Sequence, residues 1–195
     1  AIVYALIAAR DGEPHRRYHT LDHIGRLLAL CHTVRGRLAA ADAAELALWL
    51  HDVVYDPRAT DNEEKSAAFA RQTLQAGAVS PEVAELTAGM ILATKHAAPP
   101  EDPDACYVVD VDLSILGAPP EEFDRYEAQT REEHSFRSEA GFRERRARIL
   151  KMFLDRGRIF LTREFAAFEA PARANLARSL SRLGDLDPLP PSPHS

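Results

Sequence analysis

The chain has 195 residues, 46% of them hydrophobic and 28% charged, with 24 basic against 30 acidic side chains and a net charge of −6. That length accommodates one domain with a sizeable core, and the acidic balance gives no support for a nucleic-acid surface. No apolar run approaches the roughly 20 residues a membrane span needs, so the expectation is a soluble cytoplasmic protein with neither nucleic acid nor membrane as partner.

In chain order, AIVYALIAAR lacks the basic start of a signal peptide and reads as a helix. It opens without methionine, as a chain short of its native start would. In TLDHIGRLLALCHTV, Leu21, Ile24, Leu28 and Cys31 keep to one helical stripe, and Thr20 is placed to cap the start. The next helix opens at Asp42, with Glu45 at the capping-box offset, and runs through Leu46, Leu50, Val53 and Val54. It should end near Tyr55, because Pro57 pushes Asp56 out of the helical region. Asp61 opens another helix, with Glu64 three residues on. Ser80 and Pro81 open the one that ends near His96, where proline's missing donor costs nothing. A loop rich in proline and acid, AAPPEDPD, follows. Cys31 and Cys106, in apolar contexts, read as packed thiols of a reducing compartment rather than as a disulfide framework.

The stretch VVDVDLSILG is ambiguous. Val109, Val111, Leu113 and Ile115 alternate with Asp110, Asp112 and Ser114, the period of a half-buried strand. A helix ending at Gly117 is the other reading. No second strand candidate exists to pair with it, so the segment is taken as helix. Three more helices follow, at about 120–135, 138–156 and 165–183. The basic run FRERRARILKMFLDRGR is the solvated side of the second. The third carries Phe165, Phe168, Ala172, Leu176, Leu180 and Leu183 on one face, which suits a homo-oligomer interface as readily as a core. The tail DLDPLPPSPHS is proline-rich and reads as disordered. The expected architecture is all-α: a single domain of eight or nine helices over residues 1–184, then a tail over 185–195.

LWLHDVVYDP places His51 and Asp52 side by side in an oily helix. Burying an unpaired carboxylate costs several kcal/mol, so Asp52 needs a partner. Neighbours on a helix point about 100° apart, and a cation off the helix surface is reached by both. The carbonyls of the helix end add partial negative charge in its favour. His23 is a further candidate, one step around from its helix stripe. On the helical reading, Asp112 shares a face with Val108, Ile115 and Leu116 and points into the core, whereas Asp110 falls on another side. Two histidines and two carboxylates on one divalent ion leave positions open for water, the pattern of a catalytic site. The bland alternative is a buried, hydrogen-bonded polar network.

With HxxR at His23 to Arg26, HD at His51 and Asp52, and Asp112 beyond, the chain resembles the HD superfamily of metal-dependent phosphohydrolases. RYHTLDHI, HDVVYDPRATDNEEKSA, the TKH at 94–96, DVDLSILG and the late ARANL resemble a bacterial branch described only as predicted HD phosphohydrolases, across roughly residues 15 to 180. The resemblance implies an HD-type helical bundle. It also implies a divalent metal (Mn, Mg, Co, Ni, Fe or Zn) on His23, His51, Asp52 and Asp112, with His19 and His96 available to a second ion. At REEH, residues 131–134, an aromatic is expected where His134 stands, which leaves the role of that helix open.

The chemistry so implied is hydrolysis of a phosphoester or phosphoanhydride of a small phosphorylated metabolite, such as a nucleotide. No Gly-rich loop is present to hold the phosphate, so cationic side chains flanking the signature segments are candidates: Arg17, Arg58, Lys95 and Arg131. Asp56 and Glu63, just after the HD pair, are candidates for general base. Each has a plainer reading, Asp56 as a turn residue before Pro57 and Glu63 as an acid at a helix start. His15, His32, His134 and His194 read as solvated or structurally satisfied. A different class of function keeps the site without turnover, as a sensor of metal or nucleotide. A helical scaffold would leave the buried acids unexplained.

Overall fold

Alanine decides the centre of the molecule. In the computed structural model, which describes residues 12–185 together with Ile7, Ala9 and Arg10, helix α2 (Ala41–Leu50) buries Ala43, Ala44, Ala47, Leu48 and Leu50. Helix α4 (Pro81–Ala93) buries Ala84 and Ala88. Small side chains let neighbouring axes run close, and α2 packs against four others: α1 (Leu21–Val34), α3 (Asn62–Ala76), α4 and α5 (Pro103–Asp112). Helix α5 in turn touches α1, α2 and α4. The remaining part is built from α6 (Pro120–Glu133), α7 (Glu139–Leu154) and α8 (Glu169–Asp185), with α7 and α8 packed together and α8 resting on a 3₁₀ turn at Leu113–Gly117. Among the described residues there are eight α-helices and no strand, so the all-α reading holds. No described helix is long and apolar enough to cross a membrane. Cys31 and Cys106 are free thiols. The expected helix at 1–10 lies mostly outside the described residues, as does the tail from 186 onward.

VVDVDLSILG is helix through Asp112 and then 3₁₀. Its strand-like alternation misleads because α5 is buried nearly all round, Val108, Val109, Asp110 and Val111 included. Asp110 is fully buried, and its carboxylate accepts from Leu161 N (2.8 Å), Thr162 N (2.7 Å) and Thr162 Oγ1 (2.6 Å). Gly117 ends the 3₁₀ turn where a Cβ would lie 2.8 Å from Phe168, so only glycine fits. From the ARANL segment, Asn175 Nδ2 donates to the Leu116 and Ala118 carbonyls, both at 2.9 Å.

Several caps differ from expectation. Ser80 does cap α4, accepting from Val83 N with Pro81 in the first turn. The capping box at Asp42 does not form: α2 starts at Ala41, and both Asp42 and Glu45 pair with Arg35. Asp104 instead holds the approach to α2, accepting from Ala39 N (3.1 Å) and Ala40 N (2.6 Å). Thr20 and Asp61 stand at N-cap positions without a side-chain cap bond; Asp61 pairs with Lys65. Most consequential is the end of α2, at Leu50 rather than near Tyr55. Side chains take over the backbone groups beyond it. Arg16 donates to the Asp52 carbonyl (2.8 Å) and the Val53 carbonyl (3.4 Å), and Ser66 bridges both backbone groups of Val54. That leaves His51 and Asp52 at the helix terminus rather than within it.

Candidate metal centre

Three helices bring the predicted residues together. His23 comes from α1, His51 and Asp52 from the end of α2, and Asp112 from the last turn of α5. His51 Nε2 lies 2.9 Å from Asp52 Oδ2 and 3.5 Å from Asp112 Oδ1; His23 Nε2 lies 3.8 Å from Asp112 Oδ1. Donor atoms of His23, His51 and Asp52 all fall within 4.8 Å of one another, and this trio could hold a metal ion.

The donor set fits such an ion. His51 Nδ1 donates to the Leu48 carbonyl at 3.0 Å, which leaves Nε2 as the nitrogen free to face an ion. Nε2 is buried without a hydrogen-bond partner, because the 2.9 Å approach of Asp52 is out of line. Both ring nitrogens of His23 are likewise buried and unpartnered, on a residue 1% exposed. A buried imidazole with no partner forfeits its hydrogen bonds, so these nitrogens mark the place for an electrophile. Burial, reinforced by the neighbouring His51, pushes His23 down to about 3, so it is neutral at physiological pH, as a metal ligand must be. Burial also opposes charge on His51, but Asp52 and Asp112 outweigh it and raise the imidazole well above its usual value. Burial would raise both acids, yet His51 holds each below the ordinary carboxylate range, with His19 adding to the effect on Asp52 and His96 on Asp112. The two carboxylates are therefore ionised and seek positive charge.

His19 and His96 flank the acids. His19 Nε2 is 3.8 Å from Asp52 Oδ2, and His96 Nε2 is 3.0 Å from Asp112 Oδ2. His96 sits at φ 56°, in the left-handed region that a β-carbon disfavours. The Arg156 guanidinium holds its carbonyl there.

One residue that the sequence reading passed over organises this corner. Glu133, at the end of α6, is buried and accepts at Oε1 from the backbone N–H of Arg17 (2.8 Å), Tyr18 (2.8 Å) and His19 (3.1 Å). Its Oε2 takes His19 Nδ1 (2.7 Å) and the Tyr55 hydroxyl (2.8 Å). Burial would raise Glu133, but His19 and these backbone donors hold it at about 2. His19 Nδ1 donates to Glu133, which fixes the ring with Nε2 facing Asp52. Thus Glu133 rather than His134 gives the REEH helix its role; His134 Nδ1 bonds the Thr130 carbonyl.

A cavity of about 230 Å³ opens on the cluster, lined by His51, Asp52, Asp112, His96, Glu63 and Tyr126 among others. It meets an outer chamber of about 370 Å³ at His19, Tyr55, Asn62, Glu63, Tyr126 and Ile149. Of the two proposed bases, Glu63 lines both, and burial, with Asp52 adding, raises its carboxyl. Asp56 is exposed and turned away, accepting from Arg58 N (2.9 Å) while its backbone pairs with Asn62. Lys95 lines the outer chamber, bonded to Thr60 O and Glu64. Arg17 and Arg58 line a separate cleft with Asp56 and Phe136. Arg131 turns to Glu139 and to the carbonyls of His134 and Arg137. Arg17, Arg58 and Arg131 are thus not brought to the cluster; proximity in sequence did not translate into proximity in space. Arg145 and Arg146, read from the sequence as part of a solvated face, line the outer chamber instead. The chain matches no family model, no curated protein and no solved structure.

Proposed function

We propose that this chain is a metal-dependent phosphohydrolase of the HD type, acting on a small phosphorylated metabolite, with a nucleotide as one such substrate. The observation that carries the reading is Asp112 meeting the His51–Asp52 pair beside imidazole nitrogens that have no protein partner. His23, His51, Asp52 and Asp112 would hold a divalent ion (Mn, Mg, Co, Ni, Fe or Zn), and His19 and His96 stand where a second would be bound. Bound there, such an ion neutralises charge on phosphoryl oxygens and makes an adjacent water more acidic than bulk water. Glu63, half-buried on the cavity wall, takes the proton of the attacking water. Its burial raises its proton affinity, as a base requires. Glu133 fixes the ring orientation and tautomer of His19, and Arg16 clamps the Asp52 carbonyl so that the HD turn keeps its aim. Tyr126, Ile149 and Phe153 wall the cavity and limit bulk water around the developing charge.

The test loads the purified protein separately with Mn²⁺, Mg²⁺, Co²⁺ or Ni²⁺, measures metal content by mass spectrometry, and screens phosphomonoesters, nucleotides and cyclic nucleotides. The expected result is stoichiometric metal and turnover, both lost in Asp52→Ala. Retention of both in that variant overturns the assignment. Tight nucleotide binding without turnover makes the protein a sensor.

A further inference from the structure

The two chambers differ in charge. Among the described residues, no lysine or arginine lines the inner cavity, whereas Lys95, Arg145 and Arg146 all line the outer one. Two of these three are already neutralised. Lys95 pairs with Glu64. Arg146, 7% exposed at its side chain, pairs with Glu127 and lies over the Tyr126 ring at 5.1 Å. Arg145 has no acid within ion-pair distance and no hydrogen bond among the described residues, and its Nε is buried without a partner. At the nearby His134, burial and the Arg145 charge disfavour a protonated imidazole, against the Thr130 carbonyl that favours it. A guanidinium carries five donors in a fixed fork, and at half-buried Arg145 the buried Nε forfeits its hydrogen bond while the side chain stands at the chamber wall. What fits such a fork is a carboxylate or a phosphate.

We propose that the outer chamber reads a second anionic group on the substrate, with Arg145 as its recognition residue. The inference rests on the hydrolase reading. It narrows the substrate class to compact molecules with a scissile phosphate at one end and a carboxylate or second phosphate at the other. The phosphate to be cleaved occupies the inner cavity, where no lysine or arginine competes with the cation. The other acid reaches past Tyr126 and Ile149, which line both chambers, to Arg145. Phe142 and Ile149 give the spacer between the two groups an apolar wall. Simple phosphomonoesters lacking the second group are accordingly weak ligands.

Calorimetric titrations of three probes of similar length test this: glycerol 3-phosphate, 3-phosphoglycerate and 1,3-propanediol bisphosphate. Each is run against wild type, Arg145→Gln, Arg145→Lys and Arg148→Gln, with Mn²⁺ and with the metal chelated. A charge-assisted fork predicts that the added acid tightens binding to the wild type by about tenfold or more. That gain should vanish in Arg145→Gln and partly survive in Arg145→Lys, which keeps the charge without the fork. A gain from the carboxylate alone or from the phosphate alone identifies which acid is read. No gain in the wild type, including no measurable binding of the two-acid probes, overturns the proposal. So does a gain that persists in Arg145→Gln, or one lost equally in Arg148→Gln, on the exposed face. If Mn²⁺ does not bind but the Arg145-dependent gain is present with chelator, the anion subsite stands and the hydrolase reading fails. If Mn²⁺ binds and the gain is absent, the subsite alone falls.

Discussion

Arg16 and Arg17 are adjacent, yet the fold uses them in opposite ways. The Arg16 side chain is fully buried and donates to the carbonyls of His19 (3.3 Å), Asp52 and Val53, its guanidinium 5.3 Å from the Tyr55 ring centroid. Arg17 is about half exposed and its side chain pairs with Glu132 at the surface. Replacing Arg16 with alanine strips the His19 and Asp52 carbonyls of this donor and leaves Val53 only the Arg10 bond, and should cost about 2–3 kcal/mol, whereas Arg17→Ala should cost less than about 0.5 kcal/mol. Urea unfolding of the two variants measures both, and equal losses would refute this division of labour. The same contrast shows what the sequence made legible. His51, Asp52 and Asp112 announce themselves because a carboxylate on an apolar helix face demands a partner. Glu133 and Arg16 do not, because most of what they hold is backbone more than thirty residues away, in loops with no periodicity to say which side is in. Arg145 was hidden differently: it sits in a basic run, and a charged residue on an amphipathic helix is ordinarily solvated.

Helices were legible as periods, and their ends were not. The cap at Ser80 and Pro81 follows from local chemistry and survives in the fold, while the buried face of α1 is shifted to His23, Ile24, Leu27, Cys31 and Val34, with Leu21 and Leu28 at its edge. The end of α2 and the start of α8 depend on partners far along the chain or across a turn. Glu169 illustrates the second case. At the head of α8 it accepts from Ile159 N (3.0 Å) and Phe160 N (3.0 Å), and it pairs with Arg173 at 2.8 Å. Burial would raise its carboxyl, but these donors hold it below the ordinary 4.5. A carboxyl depressed in the folded state contributes stability above its unfolded pKa and loses that contribution as pH falls through the folded value. Glu169→Gln should therefore cost about 1–2 kcal/mol at pH 7, with the difference from wild type narrowing as pH drops below about 4.5. Urea midpoints from pH 3 to 7 in chelator test the sign, and a difference independent of pH would show that the charge plays no part.

The candidate centre joins α1, α2 and α5, which contact one another, so an ion held by His23, His51, Asp52 and Asp112 would cross-link the packed part of the molecule that contains the fully buried alanines of α2. Without one, the Asp112 carboxylate beside Asp52 raises the proton affinity of Asp52 against what His51 and His19 supply. Binding then relieves repulsion and closes the helix ends together, and the unfolded chain offers no comparable site. Free Mn²⁺ at about 100 times its dissociation constant should add about 2.7 kcal/mol to folding stability. In a chain of this size that raises the thermal midpoint by about 5–10 °C. Asp52→Ala removes one ligand and the repulsion together, so its midpoint should no longer respond to Mn²⁺, and chelator should leave it unchanged. Differential scanning calorimetry of both proteins, with Mn²⁺ and with chelator, decides the matter independently of any substrate. A wild-type midpoint indifferent to divalent ions, or an equal rise in Asp52→Ala, would reduce the cluster to a buried polar network.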